Sequence, residues 1–353
     1  MRIRPEIIAR IRSATSAAEL RAELQHAVEL EHATIPVYLT ALFSIKPGAN
    51  PEAAGVLRSI VNEEMLHMTI ASNVLNAIGG APVIDHPGFI PVFPGPLPMG
   101  IGGLTVGLER LTRGQVYSTF MAIEEPEAPI SFVVRQPRMA AFAALHAPAE
   151  EYATIGQFYA ALMAQLRTLG PSIFTGDPAR QVVDNTWFPA DQLFAIRTVD
   201  DAVRGLTVIV EQGEGTRREP TDPDHELAHY YRFAEIVYGR RLVRDPRDPQ
   251  GWSYSGAPVG LDPGGVWPLY ANAKSVDYPA GSQVRAISDQ FNASYTSLLG
   301  ALQRTFDGAP GDLARSLGVM FELRLLANKL VATPVPNTSY TGAPTFEYAP
   351  IPR

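Results

Sequence analysis

Two pairs of residues able to hold a metal ion stand out: Glu64 and His67 in VNEEMLHM, and Glu226 and His229 in DHELAHYYRFAEI. In each pair a carboxylate and an imidazole lie three positions apart, which on a helix places both on one face. That face is otherwise apolar. Leu57, Ile60, Glu64, His67, Ala71, Val74 and Ile78 fall on one stripe of 3.6-residue period, leaving Glu63 off it, and Glu226 and His229 share a stripe with Phe233 and Ile236. A third stripe, Leu24, Val28, Glu31, Ile35, Tyr38 and Leu42, carries Glu31 and Tyr38 to the buried side of another helix. An unpaired carboxylate in such a position costs several kcal/mol, so something must hold it. One Glu-x-x-His pair alone would pass for an ordinary helix pair. Two of them, with a further buried Glu, form the ligand pattern of a carboxylate-bridged dimetal site in a helical bundle: anionic oxygens bridge two divalent cations and each imidazole supplies one neutral nitrogen.

A complete set needs one more carboxylate, and here the sequence leaves alternatives. Glu211, closing the apolar run LTVIVE, ranks first; Glu124, in STFMAIEEPE and on a face with Tyr117, Phe120 and Met121, ranks second; Glu214, in QGEGT, is a rival from the same region as Glu211. Glu124 and Tyr38 are also the candidates for catalytic work beside the metals, Tyr38 by bonding a ligand carboxylate or relaying an electron. Gln157, three residues after Thr154, fits a capping box and is assigned a structural role. His26, His32, His86, His146 and His225 have no partner at ligand spacing and are expected on the surface or in loops.

The elements that must carry these residues follow from the punctuation of the chain. The 31 prolines crowd into 82–98, 218–223, 245–268 and 334–352, and the segments between them show helical periodicity. Helices are expected at about 17–44, 52–78, 112–125, 154–169, 199–212, 224–241, 282–306 and 310–331, with any strands short and peripheral. The Gly- and Pro-rich connection 79–113 is far too long for a helical hairpin and suits a crossover along a bundle. The fold class is therefore all-α, a four-helix bundle with a long crossover loop and extra helices. Residues 1–242 are expected to form the dimetal bundle and 243–353 a C-terminal helical extension packed on it.

Composition narrows the chemistry. The absence of cysteine excludes disulfides, thiolate metal sites and cysteine nucleophiles, so a metal must use His, carboxylates or water. A formal charge of -7 with 29 Lys and Arg spread thinly offers no basic stripe to nucleic acid. No apolar run approaches the roughly 20 residues that cross a bilayer. The opening MRIRPEIIARIRSATSAAEL lacks the apolar core of a secretory signal, and a cytoplasmic location is expected.

Seven motifs in order, AVELEHATIPVYLTALFSI, NEEMLHMTIASNVLNAIGG, PVFPGPLP, FMAIEEPE, TIGQFYAAL, VEQGEGT and ELAHYYRFAEI, resemble the ferritin-like domain family that also occurs as part of the iminophenylpyruvate dimer synthase of violacein biosynthesis. The resemblance spans about 24–242. It implies a ferritin-like fold and a non-haem diiron centre, two iron ions or an Mn/Fe pair, working with O₂ on a small organic substrate in natural-product biosynthesis. By motif, Glu31 with Tyr38, Glu64 with His67, and Glu226 with His229 match the family's site. Relatives carry Glu at the position of Gln157. The dimer synthase has in addition a catalase-like, haem-containing part that nothing here resembles, so its dimerisation reaction is not expected. A homodimer is compatible with the family. Two other roles compete with an oxygen-dependent oxidoreductase: iron handling as a ferroxidase, and a metal-free accessory to a separate biosynthetic oxidase.

Overall fold

Most of the long helices start where the chain supplies a capping side chain. In the computed structural model, which describes residues 2–127, 129–130, 153–215 and 219–349, Ser16 accepts from the Glu19 amide at the head of α2 (Ala17–Phe43). Pro51 opens α3 (Pro51–Ala77) at a position where its missing N–H costs nothing. Reciprocal boxes, Thr154 with Gln157 and Thr198 with Asp201, start α5 (Ile155–Leu169) and α6 (Val199–Glu214). Ser282 starts α8 (Gln283–Phe306), and α9 is Leu313–Val331. Between α3 and α5 lies α4, residues 113–123, in which two short α-helical pieces, Arg113–Gln115 and Met121–Ile123, are joined by a π-helical turn, Val116–Phe120. A short amphipathic helix absent from the expectations, α1 (Pro5–Ser13), precedes the bundle and buries Ile7, Ile8 and Ile11.

The helices α2, α3, α6 and α5 pack in a closed ring, each against the next, which is a four-helix bundle. The segments α4 and α7 (His229–Tyr238) pack on one another, and α7 packs also on α3 and α6. The pair α8 and α9 lies against the outside of the bundle, α8 on α3 and α9 on α2. One hydrophobic core runs through all of it, from Ile3 to Phe346. Strands are short and peripheral: β1 (Arg2–Ile3) pairs antiparallel with β2 (Ala153–Thr154), and β3 (Val243–Arg244) with β4 (Trp252–Ser253). Among the described residues no helix is long and apolar enough to cross a membrane.

The crossover after α3 forms 3-10 turns at Pro87–Phe89 and Pro98–Gly103, the second packed against α2 and β1. Pro36 does not interrupt α2; the Thr40 hydroxyl donates to the Pro36 carbonyl. One expected boundary fails in a way that matters. The helix predicted from 224 begins only at His229, because His225 sits at φ +66° and the stretch before it folds back, with the Asp222 side chain accepting from the Glu226 amide and Thr221 pairing with Leu227.

Candidate metal centre

Five side chains from four helical segments meet inside the bundle: Glu31 from α2, Glu64 and His67 from α3, Glu124 at the end of α4 and His229 at the start of α7. All five are buried. They divide into two groups that share one residue, Glu31–Glu64–His67 and Glu64–Glu124–His229, and in each the ligating atoms lie within 4.8 Å of one another. His67 Nδ1 is 3.4 Å from Glu31 Oε2 and 4.0 Å from Glu64 Oε2; His229 Nδ1 is 3.0 Å from Glu64 Oε1 and 3.6 Å from Glu124 Oε2. Glu64 therefore turns one oxygen to each imidazole, the disposition of a bridging carboxylate. The two rings stack with centroids 5.5 Å apart.

Both imidazoles point Nδ1 inward and anchor Nε2 outward. His67 Nε2 donates to Gln212 Oε1 at 2.9 Å, and His229 Nε2 to Glu63 Oε2 at 2.8 Å. Glu63 is itself tied to Arg232, whose Nη1 is 2.8 Å from Glu63 Oε1 and 3.0 Å from the Ser59 hydroxyl. Despite its burial, the Glu63 carboxyl lies well below the usual range through Arg232 and His229. An ionised Glu63 only accepts, so Nε2 carries a proton, and the neutral ring that a metal would require presents its lone pair at Nδ1. That Nδ1 is fully buried and forms no hydrogen bond, although two carboxylates are close. A cation between Glu64 and Glu124 would take the place of a proton on this nitrogen, and the outer partner that fixes the ring is the usual support of a ligating histidine. The donor set of three carboxylates and two imidazoles suits iron or manganese.

Without a cation the cluster must hold protons. Burial, then the Glu124 charge, pushes the Glu64 carboxyl up to about 7. Burial works against protonated His67 and His229, but their carboxylate neighbours outweigh it and both lie above the usual imidazole value. Two phenols complete the shell: Tyr38 donates to Glu124 and Tyr159 to Glu31. Burial and the nearby carboxylates raise both phenols, which keeps them neutral donors. Thr34 Oγ1 lies 3.1 Å from Glu64 Oε2.

Not every expected residue arrives. Glu226, in an exposed loop before α7, is not brought to the cluster; the Glu-x-x-His spacing places two residues on one face only where both are helical, and here only His229 is. Glu211 is half-buried on α6, with its carboxyl raised by burial and by Asp222 and Asp224, and the neighbouring Gln212 is the residue that turns to His67. Glu124, ranked second, is the one brought in. The side chain of Glu214 lies outside the described residues. Gln157 forms the expected capping box and also donates to Glu127 at 2.8 Å. His32 is not at the surface: it is buried, its Nε2 2.7 Å from the Tyr295 hydroxyl. His146 lies outside the described residues. Sequence reasoning missed Tyr159, Gln212, Thr34 and the role of Glu63; of these only Tyr159, on the apolar face of a capped amphipathic helix, carried a signal.

Comparison with known proteins agrees with this architecture. A family model described as Ferritin-like matches residues 24–238. The dichlorochromopyrrolate synthase of Lentzea aerocolonigenes is 26% identical over 92% of this chain, and the chain spans about a third of that protein's length, 35%. The crystal structure of a ferritin-like protein from Caulobacter vibrioides superimposes with a TM-score of 0.54 at 24% identity, covering 87% of this chain and 95% of that one, a likeness of fold.

Proposed function

The chain belongs to the ferritin-like family, and from that membership and the buried cluster we propose that it is a non-haem diiron oxidoreductase that uses O₂ on a small organic substrate in natural-product biosynthesis. The observation that carries the reading is the shared carboxylate of Glu64 between two inward-facing imidazole nitrogens. The relative named for the synthesis of dichlorochromopyrrolate supports the biosynthetic setting. Residues 1–242 would form the dimetal unit and 243–353 an extension upon it.

In this reading Glu31 and His67 hold one ion, Glu124 and His229 the other, and Glu64 bridges them. Bound there, two redox-active ions would supply the electrons for reduction of O₂ and the oxidising power that follows. The chain's own contribution is positional. Gln212 and Glu63 keep each imidazole in the tautomer with Nδ1 free, Tyr38 and Tyr159 hold the outer carboxylates by donating to them, and Leu30, Ile123 and Ile209 line the cavity with apolar surface that excludes water. A second reading, oxidation of iron without an organic substrate, is favoured by one observation: the cavity beside the carboxylates is small, about 30 Å³. Oxygen uptake separates the two. The first predicts uptake by iron-loaded protein that continues with an aromatic amino-acid derivative or amine and a reductant; uptake that stops when the added ferrous iron is exhausted, whatever the organic compound, would contradict it in favour of the second.

A further inference from the structure

Of the residues that line the cavity at the cluster, most are buried and three are partly exposed. The five clustered side chains and Leu30, Thr34, Ile123 and Ile209 are buried; the partly exposed lining residues are Ile155, the first residue of α5, and Val210 and Gly213 on α6. We propose that Ile155, Val210 and Gly213 form the entrance through which dioxygen, a small uncharged molecule, reaches the metal centre, and that Gly213 sets the size admitted. The inference rests on the diiron reading and adds a route to it.

The chemistry of the rim selects the class of visitor. Ile155, Val210 and Gly213 offer no charge and no polar side chain, so a hydrated cation would shed its water there without compensation, and an anion would meet the carboxylates beyond. A neutral diatomic pays neither cost, and the cavity of about 30 Å³ has room for a molecule that small. Gly213 is the thin point of the wall. A Cβ built there would have Glu124 Oε2, at 3.9 Å, as its only neighbour within 4 Å, so a side chain at this position would extend into open space above the carboxylate that Tyr38 holds. The backbone does not demand glycine, since Gly213 lies within α6 and has no positive φ, and glycine inside a helix costs stability relative to alanine. Space accounts for it where conformation does not.

The test uses ferrous-loaded full-length protein, with metal content measured first and the association rate of nitric oxide, a neutral diatomic probe, followed by absorbance. Gly213→Leu, and independently Val210→Phe at the rim, should keep the metal content of the unmodified protein and slow association by about tenfold or more. Gly318→Leu, at an exposed glycine of α9 with nothing within 4 Å, is the control and should leave the rate unchanged. Metal bound but association as fast in both rim variants as in the unmodified protein overturns the entrance and leaves the diiron reading standing. An unmodified protein that binds no iron overturns both.

Discussion

Glu64 is the side chain on which most depends, because both groups of candidate ligands include it. Glu64→Ala should abolish binding of both ions, whereas Glu124→Ala should lose about half the metal; Glu211→Ala and Glu226→Ala, at positions outside the cluster, should retain all of it. Elemental analysis of the purified variants, with helicity checked by circular dichroism, decides each. The same residue sets a pH dependence. In metal-free protein the Glu64 carboxyl titrates at about 7, above its usual value, and His67 and His229 are also raised. A raised group stabilises the fold at low pH, and that stability is lost as pH rises through the folded value. Glu63 and Glu124 are lowered, so their contributions are already complete by pH 6. The melting temperature of metal-free protein should therefore fall between pH 6 and 8, by the equivalent of a few kcal/mol; bound cations replace the protons, so the stabilisation by added metal should grow over the same interval. A metal-free melting temperature that rises from pH 6 to 8 would contradict this. The side chains that sequence revealed are those whose polarity broke an apolar stripe: Glu31, Tyr38, Glu64, His67 and His229. Glu226 stands apart from the cluster because its spacing to His229 shares a face only within a helix, and the helix begins at His229. Gln212 and Glu63 were illegible because an outer partner of a ligand need not lie on an apolar face.

At the scale of elements, caps and prolines gave most of the helix boundaries, and the core of the bundle appeared as periodicity. Thr154 and Gln157 show both halves of a capping box. Gln157→Ala should cost roughly 0.5–2 kcal/mol of stability while leaving metal bound; a variant that melts normally and loses metal would return Gln157 to the site. The π-helical turn in α4 could not be read in advance, since a 3.6-residue pattern does not announce i→i+5 bonding, and it lies immediately before the turn that delivers Glu124. Likewise α1 escaped, because its charged residues alternate closely with the isoleucines it buries.

For the whole molecule, the four-helix plan and the long crossover were legible, but the contacts that attach the last hundred residues were not, because they join positions remote in sequence. Tyr295 reaches His32 on α2, the Phe306 carbonyl accepts from Asn76 on α3, and Gln303 bonds the backbone at Pro82 and Ile84. Phe291, Phe306 and Phe346 belong to the same core as the bundle helices. Residues 1–242 expressed alone should therefore lose the sharp thermal transition of the full chain, as a stretch of apolar surface on α2 and α3 is uncovered; an equally cooperative fragment with full metal content would show that the bundle stands without its extension. The central claim, a buried pair of metal positions bridged by Glu64, is tested most directly by elemental analysis with Mössbauer spectroscopy on full-length protein from iron-supplemented cells. The account predicts about two irons per chain, one for each three-residue group, as a coupled pair. Fewer than one iron per folded chain, or only isolated uncoupled ions, would contradict it.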